Sequence, residues 1–346
     1  MNTLILPACG QSSRFPGLRP KWLLTNPKTG HPMFVDAMIG LDISDIDRVI
    51  LTVLREHEDL YGFTEPVKRI VHNLIKRDIE IIYLDSSISQ PDTIRQTIEL
   101  AHIKGAIHIK DTDNTFVTKL GNGNYVAYID LHNINEVDAK NKSYLDIDRN
   151  NIVNNIVEKH IISNTFCTGL YGFSDAAQFI RMFHTIENTN NLYISHIILA
   201  MIMNGVQFTG QEVCNYHDWG TLDAWSKYRR NFNTIFTDLD GVLVESSSEY
   251  MTPLWGTTKG IQQNIETLNN YKANGAKIII TTARTEQYSA ITIDQLDREN
   301  IEYDQIIFNC GGTKRIIIND FAASNPYPTC EAINIPRNIN NLGQYL

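Results

Sequence analysis

Short apolar runs alternate with longer amphipathic stretches along most of the chain. TLILPA (Thr3–Ala8), RVILTVL (Arg48–Leu54) and IEIIYLD (Ile79–Asp85) have the continuous apolar character of strands buried on both faces. PVKRIVHNLIKR (Pro66–Arg77) and DTIRQTIELAHIK (Asp92–Lys104) repeat their apolar positions with helical spacing. GAIHIKDTDNTF (Gly105–Phe116) predicts a strand ending in acidic residues, and GNGNYVAYIDL (Gly121–Leu131) a turn and a strand. The Asn- and Asp-rich run from Asp138 to Asn155 predicts a loop or an irregular edge. Asn151–Phe173 then alternates as antiparallel sheet does, and Tyr193–Phe208 reads as a buried helix.

The alternation restarts after Asn231. Strand TIFTDLD (Thr234–Asp240), helix Gly260–Gly275, strand AKIIITTA (Ala276–Ala283), helix Ile291–Asn300, strand DQIIFN (Asp304–Asn309) and strand KRIIIND (Lys314–Asp320) form a second, smaller set. Strands alternating with helices predict α/β architecture with parallel sheets. A length of 346 residues favours two domains, with a boundary near Tyr228–Asn233 and spans of 1–230 and 231–346.

The formal net charge of -9 argues against a nucleic-acid binder but leaves room for a local basic phosphate pocket. The longest apolar stretch carries His196 and breaks at Asn204-Gly205, which is too short for a bilayer. No basic leader precedes the first apolar run. Cys9, Cys167, Cys214, Cys310 and Cys330 are scattered without a CxxC pair, as expected of buried, reduced thiols in a cytoplasmic protein.

The C-terminal set carries candidate chemistry at its strand ends. A parallel strand delivers its last residues to the ligand crevice. Asp238 there can attack phosphorus, and Asp240, two residues on, can protonate a leaving alcohol and then activate water. Hydroxyls at Thr281 and Thr282 can hold phosphoryl oxygens, Lys314 can neutralise phosphate charge, and Asp320 can hold Mg²⁺ together with Asp238. Asp238-x-Asp240-Gly241, then Thr282 before Ala283-Arg284, then Lys314, then Asn319-Asp320 resemble, in order, the four motifs of haloacid-dehalogenase-like phosphatases. The resemblance spans about Thr234 to Ile335. It implies a Rossmann-like fold, an aspartyl-phosphate intermediate, and Mg²⁺ on Asp238, Asp240 and Asp320. Which of Thr281 and Thr282 serves the second motif is open. The spacing leaves room for a small flap but no large cap, so the N-terminal domain is a candidate cover.

At the other end, LILPACGQSSRFPGLRPKWLL (Leu4–Leu24) follows the first strand. A turn of small residues, Gly10, Ser12 and Ser13, lets backbone N–H groups approach a triphosphate, and Arg14 and Lys21 can neutralise it. The stretch resembles the G-x-G-x-R…P-K signature of sugar-phosphate nucleotidyltransferases, with Ser12 where the second glycine usually stands. This resemblance covers about Met1 to Trp225. It implies a Rossmann-like domain with a mixed sheet and a metal-binding aspartate at Asp111 or Asp113. It also implies Asp218 as a second Mg²⁺ ligand and a sugar-phosphate contact from Glu158-Lys159. Gln90 is a candidate nucleobase contact.

The two resemblances together imply a bifunctional enzyme of nucleotide-activated sugar or polyol synthesis, as in capsule or surface-glycan pathways. Its substrates would be an NTP, with CTP favoured by analogy, and a sugar- or polyol-phosphate, with Mg²⁺ as cofactor. Two alternatives stay open. One is a phosphatase whose N-terminal domain only senses nucleotide sugars, and the other a non-catalytic module of a glycan-synthesis complex. The base, the acceptor and any homo-oligomeric state are not legible.

Overall fold

In the computed structural model, which describes residues 1–134, 139–320 and 327–346, the chain forms two compact units, Met1–Trp225 and Ser226–Leu346. The division falls inside the helix Leu222–Arg230. That helix ends on Lys227, Arg229 and Arg230, where basic side chains complement the C-terminal dipole.

The strands of unit 1 are, in chain order, β1 (Asn2–Ala8), β2 (Leu41–Asp42), β3 (Arg48–Leu54), β4 (Glu80–Leu84), β5 (Ala106–Lys110), β6 (Asn114–Lys119), β7 (Tyr125–Asp130), β8 (Ser143–Ile147), β9 (Val153–Glu158), β10 (Thr165–Phe173), β11 (Thr209–Glu212) and β12 (Cys214–Asp218). Among the described residues, nine of them make one mixed sheet in the order β11-β7-β10-β5-β1-β3-β4, with β8 joined to β10 and β9 to β8. β1 runs parallel to β3 and β5, whereas β10 runs antiparallel to β5 and β7. A second sheet has the order β12-β6-β2.

The apolar runs at the centre are continuous because both faces of the sheet are covered. Leu4 and Leu6 of β1 point into one apolar cluster with Phe34, Val67 and Val71. Ile5, between them, points into another with Ile94, Phe179 and Ile197. This is the strand's period of two, with helices packed on either side. Parallel pairing of β1 with β5, Ile5 opposite Ile109, brings their C-terminal ends to one edge. The Cys9–Pro20 loop and Asp111–Asp113 therefore open side by side.

Unit 2 has a parallel sheet in the order β13-β14-β15: β13 (Thr234–Asp238), β14 (Lys277–Thr281) and β15 (Gln305–Ile307). Ile278, Ile280, Leu268 and Leu296 form its core with Leu239 and Leu243.

Two expectations are corrected. The Asn- and Asp-rich run holds a strand rather than a loop: β8 lies within it and pairs antiparallel with β9, which belongs to the antiparallel stretch expected from Asn151, Tyr144 opposite Val157. Tyr144 and Leu145 are buried there, and their apolar anchorage overrides the loop-like composition. Asp138, the first residue of that run, lies outside the described residues. Residues 314–320 form no strand; Ile316, Ile317 and Ile318 are exposed and the segment pairs with no sheet. An apolar run makes a strand only where an edge accepts its backbone. The thiols also divide: Cys9 and Cys167 are buried, but Cys214 and Cys330 are exposed.

A chain ending at Arg230 retains every strand of unit 1 described above and its two large apolar clusters. It should fold alone, giving a single cooperative thermal transition by circular dichroism. A molten or insoluble product would show that unit 1 depends on the rest of the chain.

Candidate functional site

Unit 1 holds a cavity of about 170 Å³ at the edge where β1 and β5 end. Its lining includes Arg14, Gln90, Asp111, Asp113, Lys142, Glu158, Lys159 and Asp218. The loop after β1 brings Lys21 here. Phe15 is buried as its anchor, and the backbone N–H of Lys21 donates to Ser12 Oγ at 3.0 Å. Ser12 itself has φ 50, the left-handed region that glycine adopts at no steric cost. Serine thus takes the glycine-like conformation, and its hydroxyl ties the two ends of the loop. Gly10 has open space around it and Ser13 is exposed. Arg14 is exposed at the cavity rim.

Two carboxylates face each other across Gly220. β12 pairs antiparallel with β6, Asp218 opposite Asn114, so Asp113 is the next residue along. Trp219 N–H donates to the Asp113 carbonyl at 2.9 Å, and Gly220 N–H to Asp218 Oδ1 at 3.0 Å. A Cβ at residue 220 would lie 3.1 Å from Asp218 Oδ1 and 3.3 Å from Asp113 Oδ2. Each carboxylate carries a lysine: Lys21 on Asp113, and Lys142 at 2.6 Å on Asp218. Burial acts to raise Asp113, but the charge and hydrogen bond of Lys21, with the charges of Lys142 and Lys110, together outweigh it and hold the carboxyl down at about 2. Burial works against the Lys142 ammonium, yet Tyr216 and Asp218 together keep it above its ordinary range.

Asp111 is placed differently. Gln90 Nε2 donates to it, and Gln90 is fixed as the first residue of helix Gln90–Leu100, whose N-cap Ser89 accepts from Asp92 N–H. Burial pushes the Asp111 carboxyl up to about 6, with Asp113 adding to the effect. Buried Lys110 lies beneath, donating to Asn114 Oδ1 at 2.6 Å and lowered to about 8 by burial. On the opposite wall, Glu158 accepts from Ser143 Oγ and, at 2.8 Å, from Ser195 Oγ. Lys159 packs over the Tyr193 ring at 4.3 Å.

Among the described residues no three His, Cys, Asp or Glu side chains are placed to hold a metal ion by themselves. Two hard carboxylate ligands suit Mg²⁺, which completes its shell with water and substrate phosphates. The cradle between Asp113 and Asp218 fits that donor set.

In unit 2, Asp238 and Thr281 end paired strands. Asp240 is gripped at both oxygens by Arg284, Nε at 2.9 Å and Nη2 at 2.8 Å, and accepts from Ser247 Oγ at 2.7 Å. The Arg284 side chain is 0% exposed and also donates to Thr292. Thr281 Oγ1 donates to the Thr237 carbonyl, whereas buried Thr282 accepts from Arg284 N–H. The cation on Asp238 is Arg315, at 3.2 Å, not Lys314. Lys314 and Asp320 are exposed, and the hydrogen bonds of Asp320 run through its backbone to Asn319 and Thr329. Asp238, Asp240 and Thr282 thus stand at or just past the ends of the paired strands β13 and β14, and among the described residues no hydrogen bond or ion pair joins Lys314 or Asp320 to them.

Lys142, Tyr216 and Arg284 were not singled out in the sequence. Lys142 lies in the run that reads as a loop, and no spacing marks it. Arg284 follows Thr282 in a recognisable motif and was the legible one.

No protein-family model matches the chain, and no curated protein matches it. Solved structures do. A nucleoside-diphosphate-sugar pyrophosphorylase from Vibrio cholerae is 17% identical, with a TM-score of 0.54, over 65% of this chain and 98% of its own. An inositol-1-phosphate CTP transferase from T. maritima is 14% identical, with a TM-score of 0.52, over 65% and 91%. A UDP-glucose pyrophosphorylase complexed with UDP-glucose is 14% identical, with a TM-score of 0.50, over 66% and 96%. About two thirds of the chain has the fold of the sugar-phosphate nucleotidyltransferases. No helix among the described residues is long and apolar enough to cross a membrane.

Two stability effects follow from this geometry. Gly169 has φ 81, and a Cβ there would lie 2.3 Å from Asp111 Oδ2. Gly169→Ala should cost about 1–3 kcal/mol, from left-handed strain plus the overlap, read as a lowered thermal midpoint; an unchanged midpoint would show that Asp111 moves freely. In unit 2, Asp240→Asn leaves the buried Arg284 without its carboxylate and should cost about 3 kcal/mol by denaturant titration. Asp238→Asn, at a half-exposed pair, should cost under about 1 kcal/mol. Equal effects would mean that Asp240 is not the counter-charge of Arg284.

Proposed function

We propose that this protein is a bifunctional enzyme of nucleotide-activated sugar or polyol synthesis. Unit 1 transfers a nucleotidyl group from an NTP to a sugar- or polyol-phosphate, and unit 2 hydrolyses a phosphate monoester. The observation that carries the first half is a cavity lined by Arg14, Asp113 and Asp218, with Lys21 paired to Asp113, on the fold of the sugar-phosphate nucleotidyltransferases.

An oxygen of the acceptor's phosphate attacks the α-phosphorus in line. The bond to the β-phosphate breaks, and pyrophosphate leaves with its electron pair. Lys21 and Arg14 stabilise the charge that builds on the phosphates. Mg²⁺ held by Asp113 and Asp218 would supply further neutralisation of the phosphate oxygens. Gln90, locked between a capped helix and Asp111, stands where a base would enter. Glu158 and Lys159 face the acceptor, Glu158 accepting from hydroxyls and Lys159 offering charge. CTP is favoured by analogy with the CTP transferase from T. maritima, whose acceptor is also a polyol phosphate. Ser12 is the residue that would favour a merely sensing domain, but it adopts the backbone conformation of the glycine it replaces.

In unit 2 we assign a haloacid-dehalogenase-like phosphatase. An Asp238 carboxylate oxygen forms a bond to phosphorus as the alcohol leaves, and water then hydrolyses the acyl phosphate. Asp240, oriented by Arg284 and Ser247, exchanges protons with the leaving alcohol and with that water. Mg²⁺ belongs at Asp238 in this assignment. Arg315 is the cation the fold already places there, and Lys314 and Asp320 would have to come in from the exposed segment.

The test is a screen of each NTP against a panel of sugar and polyol phosphates with Mg²⁺, reading pyrophosphate and inorganic phosphate separately. Lys21→Ala should lower pyrophosphate release about 100-fold or more. Asp238→Asn should abolish phosphate release and leave pyrophosphate release intact. Full nucleotidyl transfer by Lys21→Ala would remove Lys21 from the site, and no pyrophosphate from any pair of substrates would refute the transferase assignment.

A further inference from the structure

Lys142 is the one cation of the cavity that neither motif claims. It precedes β8, and its carbonyl accepts from Lys159 N–H at 3.0 Å, so the hairpin sets the two lysines side by side. Its Nζ lies 5.9 and 5.5 Å from the ring centroids of Phe166 and Tyr216. Its ammonium donates to Tyr216 OH at 2.9 Å and lies 2.6 Å from Asp218 Oδ2. The side chains of Lys142 and Asp218 are only 15% and 10% exposed. The ion pair therefore sits inside the cavity rather than on its rim.

Two cations on one carboxylate repel each other, and each weakens the other's hold. A cation arriving between Asp113 and Asp218 meets Asp218 at Oδ1, which faces Asp113 across Gly220, while Lys142 holds Oδ2, so it loosens the Lys142 pair through the shared carboxylate. A lysine so loosened, and largely shielded from water, draws on another anion, because an unpaired buried charge is costly. The acidic side chains near it are Asp218, Asp113 across Gly220, and Glu158 on the opposite wall, which already accepts from two serines. The anion not yet supplied is a phosphate.

We propose that Lys142 is an exchangeable counter-ion: it pairs with Asp218 and passes to a phosphate oxygen of the phosphorylated acceptor when a divalent cation takes Asp218. This rests on unit 1 binding a metal and a phosphorylated substrate, as inferred above. It makes cation and phosphate binding mutually strengthening, since each removes what opposes the other.

The test is Mn²⁺ titration of the full chain, read by electron paramagnetic resonance, with and without inorganic phosphate. The unit 1 site is the part of the binding lost in Asp113→Asn. Lys142→Met and Lys142→Gln should bind Mn²⁺ about tenfold more tightly than the wild type, because the carboxylate no longer waits for an ion pair to open. Inorganic phosphate should tighten Mn²⁺ binding in the wild type and not in the variants. Equal or weaker Mn²⁺ binding by folded variants, or equal strengthening by phosphate in both, overturns the proposal. Should both variants fail to fold, acetylation of Lys142 in the wild type by acetic anhydride, followed by peptide mass spectrometry, decides it. Labelling that rises with Mn²⁺ and falls on adding phosphate supports the exchange, and labelling indifferent to Mn²⁺ overturns it. A wild type in which Asp113→Asn removes no Mn²⁺ binding overturns both this exchange and the metal assignment of unit 1. Binding that is present but indifferent to Lys142 overturns the exchange alone.

Discussion

Two carboxylates held close together in a poorly solvated cavity must be neutralised, and the architecture of unit 1 is organised around that requirement. Antiparallel pairing of β6 with β12 fixes Asp113 beside Asp218, and Gly220 leaves the gap between them free of a side chain. Each is met by a lysine from a different part of the chain, Lys21 from the loop after β1 and Lys142 from the start of the β8–β9 hairpin. The sheet order makes this possible. With β5 beside β1 and β10 beside β5, the loop, the acidic turn and the hairpin all reach the same edge. Repulsion between like charges is thereby relieved by two lysines drawn from distant parts of the chain.

The same logic appears at a smaller scale in unit 2. Asp240 is the counter-charge of Arg284, a guanidinium with no exposed surface, and the bidentate grip fixes the direction of the carboxylate. The residue assigned to proton transfer is therefore also one on which local packing depends. Asp238, at the end of β13, is more open and is met by Arg315 from the exposed segment that follows β15. One carboxylate is anchored and the other accessible, which is what the proposed acid/base and nucleophile would each require.

Much of this was legible in the pattern of the chain, and what was not has physical reasons. The buried strands β1, β3 and β14 announce themselves as continuous apolar runs because both faces are covered. The loop holding Lys21, and Asp113 at the turn after β5, follow directly from the ends of those strands. Strand β8 was hidden because Asn and Asp dominate the run around it, while Tyr144 and Leu145 carry its packing. With that strand went Lys142, whose role depends on a partner in β12 far along the chain. The opposite error came at Ile316–Ile318, where a strong apolar run predicts a strand that has no sheet partner. Pattern reports what a segment can bury, and pairing decides whether it does.

The measurement closest to the central claim is ³¹P NMR of the full chain incubated with CTP, Mg²⁺ and a polyol phosphate. Nucleotidyl transfer at the Asp113–Asp218 cavity predicts that the acceptor's phosphomonoester resonance gives way to a coupled pair of diphosphate resonances, together with free pyrophosphate. Should the phosphomonoester persist, or yield only inorganic phosphate, with every NTP and every sugar or polyol phosphate supplied, the account of unit 1 as a transferase would be contradicted.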